Sequence, residues 1–240
     1  MFCLRPLIAC ALFAFVEAPY VSHAATVRVN IRSDAFDPRS NRTAHPAHVT
    51  VVWLSARPGA ADAQMVAPAP GRFRIEQKDK TFYPSLLVVP LGSLVEFPNR
   101  DPFFHNVFSQ FNGKRFDLGL YEAGSTRTVR FDHEGASYIF CNIHSQMAAV
   151  IIAVGTRFYT EIKGDGTAQL NDVLPGDYVL HVWREGIEPS QLNALIKQIH
   201  VAGENFDAGA IQMPSAAPAV PHKNKFGEEY APDQSSPYPK

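Results

Sequence analysis

The 240-residue chain is 46% hydrophobic and carries a formal net charge of -1. That charge excludes the strongly basic surface expected of a nucleic-acid or anionic-membrane binder, and the length allows one domain or two. Pro at 19 and Gly at 15, with abundant Val, Thr, Tyr and Phe, suit a turn-rich all-β protein.

Residues 1–24 read as a secretory signal. Arg5 is the basic residue, Leu7 to Val16 is the apolar run, and Ser22-His23-Ala24 offers small residues for cleavage after Ala24. Glu17 and Pro19 interrupt the run too soon for it to span a bilayer, so no transmembrane segment is expected. Leu7-Ile8-Ala9-Cys10 mimics a lipoprotein box but comes too early to leave a full apolar region before it. The expected location is the periplasm or the outside of the cell. Of the 3 Cys, Cys3 and Cys10 leave with the signal, and the mature chain keeps Cys141 alone. An unpaired thiol on an exported protein is exposed to oxidation unless something occupies it.

Thr26 to Ile31 alternates apolar and polar residues, the pattern of a half-buried strand. Residues 32–47 are polar and turn-rich, broken at Asp37-Pro38 and His45-Pro46. His45 and His48 read as solvated, not as ligands. Val49 to Leu54 is a second strand, and residues 56–71 form an Ala-, Pro- and Gly-rich connection. Residues 72–77 open the next part of the chain, and further strands are expected at 82–89, 93–97, 105–109, 126–131, 137–140 and 148–154, with Lys114 to Tyr121 leading over and a turn at Asp132 to Gly135 that holds His133. Beyond these, strands are expected at 157–162, 167–170, 174–183 and 195–201. The Pro-rich residues 214–240 cannot bury much and are expected to be disordered.

The chemistry gathers in Phe140-Cys141-Asn142-Ile143-His144-Ser145-Gln146-Met147. A strand before and a strand after place Cys141 at a strand end, with His144 and Met147 on the short joining loop. One thiolate, two imidazoles and a weak thioether define a type 1 (blue) copper site. The missing imidazole is assigned to His105, where a turn passes into an apolar strand. Zinc suits the set less well, since thioethers are not among its usual ligands. Copper also accounts for the lone thiol: a metal-bound thiolate is occupied.

The Cys-x-x-His-x-x-Met spacing at 141, 144 and 147, with His-Asn-Val at 105–107, resembles amicyanin and the plastocyanin-like cupredoxins. The wider text, FPNRDPFFHNVFS, FDLGLY and CNIHSQM, looks like the secreted proteins often named methylamine utilisation proteins. The resemblance covers residues 70–155 closely and implies a Greek-key β-sandwich with one copper ion held by His105, Cys141, His144 and Met147. It also implies that Asn106 hydrogen-bonds to the Cys-bearing loop, and that electrons leave through the surface edge of His144. Residues 157–213, with LPGDYVLHV, resemble the smaller transthyretin-like, carboxypeptidase-regulatory-like sandwich. That unit lacks two strands, which 26–60 can supply, so the cupredoxin is expected to be inserted at 70–155 between 26–60 and 156–213. The simpler arrangement, with the N-terminal strands extending the cupredoxin, stays open.

The expected function is single-electron transfer by a periplasmic blue copper protein. A copper-delivery protein and a non-redox scaffold or adhesion module are the alternatives. A delivery protein calls for Met and His clusters, whereas only 4 Met are present. No Ser-His-Asp text, paired-carboxylate motif or phosphate loop points to an enzyme. A monomer is expected, docking a redox protein near His144 and Phe103. Strand alternation sends one of Phe103 and Phe104 outward, and Phe103 is the one expected there; Phe104 and Phe140 are expected to keep the site dry.

Overall fold

The computed structural model describes residues 24–33, 49–57, 68–110, 113–214 and 222–230. The signal segment up to residue 23, His45 and His48, most of the 56–71 connection and residues 215–221 and 231–240 lie outside the described residues. Among the described residues no helix is long and apolar enough to cross a membrane.

The chain is all-β. Strands β1 (Ala25–Ser33) and β2 (Val49–Ala56) come first. β3 (Arg72–Arg74), β4 (Glu76–Lys78), β5 (Thr81–Tyr83), β6 (Leu86–Pro90) and β7 (Ser93–Pro98) follow. Next are β8 (His105–Ser109), β9 (Phe116–Tyr121), β10 (Thr126–Phe131), β11 (Gly135–Phe140) and β12 (Ala148–Val154). β13 (Tyr159–Lys163), β14 (Gly166–Val173), β15 (Gly176–Arg184), the short helix α1 (Pro189–Asn193), β16 (Lys197–Val201) and β17 (Asn205–Met213) complete the order.

Two sheets enclose the middle of the chain. One is ordered β10-β7-β3 and the other β6-β12-β11-β8-β9. Between them lies a core that includes Ile75, Phe97, Val107, Phe131, Ile139, Cys141, Met147 and Ile151. Two further sheets, β14-β1-β17 and β13-β2-β15-β16, draw strands from both ends of the chain. β1 pairs antiparallel with β14 and parallel with β17, and β2 pairs antiparallel with β13 and β15.

The β12 text, Ala-Ala-Val-Ile-Ile-Ala-Val, is apolar without alternation, and the structure gives the reason. Ala149, Ile151 and Ala153 face the first core, while Val150, Ile152 and Val154 join Val27, Leu54, Leu170 and Leu180 in a second. A strand covered on both faces has no polar face to alternate with.

Three expectations are corrected. Residues 82–89 are not one strand but two, β5 and β6, separated by Pro84 in a cis peptide. Phe116–Tyr121 is a strand in its own right, paired with β8. β17 was not expected. Its partner register slips between Arg28 and Asn30, and Gly209 sits there at φ 81°. A bulge shifts the in/out phase of a strand, so no clean period shows in its text.

Candidate metal centre

His105 opens β8 and is fully buried. The turn before it is built from side-chain hydrogen bonds. Asn99 donates from Nδ2 to the carbonyl oxygens of Phe103 at 2.7 Å and Tyr121 at 3.3 Å, and accepts from the Asp101 N–H at 3.0 Å. Asp101 in turn accepts from the backbone N–H groups of Asp79 at 2.7 Å and Lys80 at 3.0 Å. Those two residues turn the β4–β5 hairpin at φ 53° and 54°, the paired positive φ of a two-residue hairpin turn. The Asp101 Oδ2 then lies 2.7 Å from His105 Nε2. This fixes the imidazole so that Nδ1 faces inward.

Cys141 follows β11 and is fully buried. Its Sγ lies 3.9 Å from His105 Nδ1 and 3.6 Å from His144 Nδ1. The ligand atoms of His105, Cys141 and His144 all fall within 4.8 Å of one another, so one ion can meet all three. Burial pushes the thiol pKa up, while backbone N–H groups of Asn106, Ile143 and His144 aimed at the sulfur pull it down. Those donors favour the thiolate, the form that binds metal. Burial lowers the His105 pKa and the Asp101 contact opposes it. A neutral imidazole is the ligating form.

Met147 is fully buried and shares the core cluster of Cys141. The loop closes on itself: the Met147 N–H donates to the His144 carbonyl at 3.2 Å, and the Cys141 N–H to the Met147 carbonyl at 3.3 Å. Asn106 reaches the Cys141 sulfur through its backbone N–H. Its side-chain amide instead donates to Asp117 at 2.7 Å and to the Gly119 carbonyl at 2.9 Å, pinning β9 to β8.

Phe103, expected to face outward, is half-buried and leans on both imidazoles. Its ring centroid lies 5.2 Å from that of His105 and 5.7 Å from that of His144. Phe104 is the outward one, 40% exposed, with Ile143 43% exposed. Both Phe residues sit in the turn, before β8 starts at His105, so strand alternation does not apply to them. Phe104 therefore does not seal the site; Phe103 covers that side.

The tail is a further correction. Residues 222–230 do not stand clear of the fold: they lie across the ligand loop. The His222 ring stacks on Phe140 at 4.2 Å, and the Tyr230 hydroxyl donates to the Cys141 carbonyl at 2.6 Å. The Lys225 N–H donates to Asn142 Oδ1 at 2.9 Å and its ammonium to Asp117 at 2.7 Å. Gln110 donates to the Lys225 carbonyl. Composition averaged over a Pro-rich tail conceals such local anchors.

Asp101 and the tail contacts are the features of the candidate site that sequence reasoning missed. Asp in a turn ordinarily caps its own backbone, so only proximity to His105 marks it out.

No protein-family model matches the chain, and no curated protein does. Solved structures resemble part of it. A Cu-containing nitrite reductase from Thermus scotoductus SA-01 is 25% identical over 41% of this chain, with a TM-score of 0.33. The match spans only 25% of the reductase's own length. A purple cupredoxin from Nitrosopumilus maritimus is 22% identical over 34% of this chain and 98% of its own, with a TM-score of 0.31. A reduced Cu(I) form of an amicyanin mutant is 16% identical over 42% of this chain and 98% of its own, with a TM-score of 0.33.

Proposed function

We propose that His105, Cys141, His144 and Met147 hold one type 1 copper ion and that the protein is an exported, plastocyanin-like single-electron carrier. The observation that carries this reading is the meeting of two imidazole Nδ1 atoms and one buried thiol within 4.8 Å. The donor set fits copper: a thiolate and two imidazoles with a thioether in the same core. Copper so bound supplies a one-electron couple. The chain's own residues do the rest. Asp101 orients His105, the backbone amides of Asn106, Ile143 and His144 favour the thiolate, and Phe103 excludes water from the imidazole side. A centre enclosed this way changes little in shape between oxidation states, which suits electron transfer more than substrate chemistry.

The domain division belongs to the same proposal. A cupredoxin at 70–155 is inserted in a transthyretin-like sandwich of 26–60 and 156–213, and what supports it is the pairing of β1 and β2 with strands of the last third of the chain. Export through residues 1–24 is part of it too. The membership of the methylamine utilisation type rests on the quoted motifs alone. The docking face for a redox partner is proposed around His144, with Phe104 and Ile143 as its exposed apolar surface.

The test is the visible spectrum of residues 25–240 loaded with copper. An intense thiolate-to-copper band at the red end is expected, and Cys141→Ser removes it without unfolding the protein. A variant that keeps the band sinks the ligand assignment. A colourless wild-type protein that holds copper would favour the scaffold or delivery reading.

A further inference from the structure

For an ion to reach His105, Cys141, His144 and Met147, some wall of the site has to move. His105 is a fixed wall: it opens β8, is fully buried and is held by Asp101. Cys141 and Met147 are fully buried in the core between the two sheets. Phe103 covers the imidazoles, but its carbonyl is held by Asn99 at 2.7 Å in a turn dense with side-chain hydrogen bonds. What is left is the loop from Asn142 to Gln146, which carries His144 and belongs to no strand. Residues 222–230 lie across that loop.

This strap grips the loop and its base at successive residues. The His222 ring stacks on Phe140, the Tyr230 hydroxyl donates to the Cys141 carbonyl, and the Lys225 N–H donates to Asn142 Oδ1. The His222 ring also faces the carbonyls of Ser145 and Met147. A loop gripped at these points swings outward only when the strap lifts. None of the contacts uses a metal-donor atom, so the strap seats in the same way over a filled site and over an empty one.

The strap is made to lift as one piece. It forms neither strand nor helix, and among the described residues no backbone–backbone hydrogen bond ties it to the sheets. Its turn is held from within: Asn224 Oδ1 accepts from the N–H groups of Phe226 at 2.9 Å and Glu228 at 3.0 Å, and the Gly227 N–H donates to the Asn224 carbonyl at 3.0 Å. An Asx-type turn of this kind keeps its shape by itself. The strap's attachments to the body are side-chain contacts, each of modest worth, and segments so attached open more often than core strands do.

We propose that residues 222–230 are the gate through which copper enters and leaves, an inference that rests on the copper reading of the site. Because the strap seats alike in both states, the gate slows entry and exit by the same factor and leaves affinity nearly unchanged. A strap that merely propped Cys141 in place would change exit and affinity and leave entry alone.

The test uses residues 25–240 and the thiolate-to-copper band as its clock. Stopped-flow mixing of metal-free protein with copper(II) gives the entry rate, and mixing of loaded protein with excess EDTA gives the exit rate. Tyr230→Phe should quicken both about fivefold, the worth of one hydrogen bond, and His222→Ala by a similar factor through its lost stacking. Both positions lie outside the strands, so the variants should fold normally. Glu229→Gln, which breaks only an exposed pair with Lys223, should leave both rates as they are. Unchanged rates in Tyr230→Phe and His222→Ala overturn the gate, and so does a faster exit with an unchanged entry, or an equal effect of Glu229→Gln. A wild-type protein that develops no band at all sinks the copper reading instead, and the gate with it.

Discussion

Asp101 Oδ2 and His105 Nε2 lie 2.7 Å apart, both side chains buried. This contact decides which nitrogen of His105 is left for a metal. Nε2–H donates to the carboxylate, and Nδ1 turns to Cys141. Two backbone amides of the β4–β5 turn hold the carboxylate from behind, so the imidazole is set by a strand pair remote from it in sequence.

Asp101→Asn should therefore weaken copper binding about 10- to 100-fold, the usual effect of losing such an outer partner. It should also raise the reduction potential, because a carboxylate makes the imidazole more basic and favours the oxidised metal. Competition titration and voltammetry check the two effects. An unchanged potential would mean that Asp101 is only a turn-capping residue.

The tail makes a different demand. Tyr230 donates to the carbonyl of Cys141 itself, and His222 lies on Phe140. A chain ending at residue 214 should expose the metal-free Cys141 thiol, and its alkylation by iodoacetamide should speed up. Tyr230→Phe alone removes one hydrogen bond, about 1 kcal/mol, and should speed alkylation roughly fivefold. Equal rates in all three proteins would show that the strap does not guard the thiol.

How much of this was legible in the sequence follows from the kind of signal each feature leaves. Cys141, His144 and Met147 are close in the chain and chemically uncommon together, so their text stands out. His105 shows because a His is conspicuous at the start of an apolar strand. Asp101 leaves no such mark, being one more acidic residue in a turn. Phe103 and Phe104 were ordered wrongly because alternation was applied one step too early, to residues outside β8. β17 hid behind its Gly209 bulge. The β12 run was legible as a strand, but its double burial needed the second core to be seen.

Arg184 carries a stability prediction. It is 5% exposed and ties β15 to the start of the chain. Its guanidinium donates to Thr50 at 2.7 Å, Ser33 at 2.6 Å, the Gly164 carbonyl at 3.0 Å and Asp165 at 3.1 Å. Arg184→Ala should cost about 2–4 kcal/mol, from the buried side chain's lost packing and the buried Thr50 hydroxyl left without its donor, and denaturant midpoints measure it. The ion pair itself adds little, since the Asp165 side chain is 40% exposed. Burial raises the Asp165 pKa, but hydrogen bonds from Ser33 and Arg184 outweigh it and leave the carboxyl below its usual value. Its folded value thus lies under the unfolded one. The stabilisation is fully present above the unfolded value of about 4 and fades as pH falls through the folded one. Asp165→Asn should remove that part of the acid sensitivity; an identical acid profile would count against the pairing.

The last prediction separates the two phenylalanines of the turn. Phe104 is exposed, while Phe103 rests against His105 and His144. On the electron-carrier reading, a partner meets Phe104 and the metal's surroundings depend on Phe103. Phe104→Ala should then slow electron exchange with the partner, leaving the blue band and the potential nearly as they were. Phe103→Ala should do the opposite: water gains access to the imidazoles, so the band and the potential move, and metal loss quickens. Stopped-flow exchange with the physiological partner, set beside the spectrum and voltammetry of each variant, distinguishes the two. If Phe104→Ala exchanges electrons at the full rate, the docking face lies elsewhere. If Phe103→Ala leaves the spectrum untouched, its contacts with the two histidines are packing without consequence for the metal.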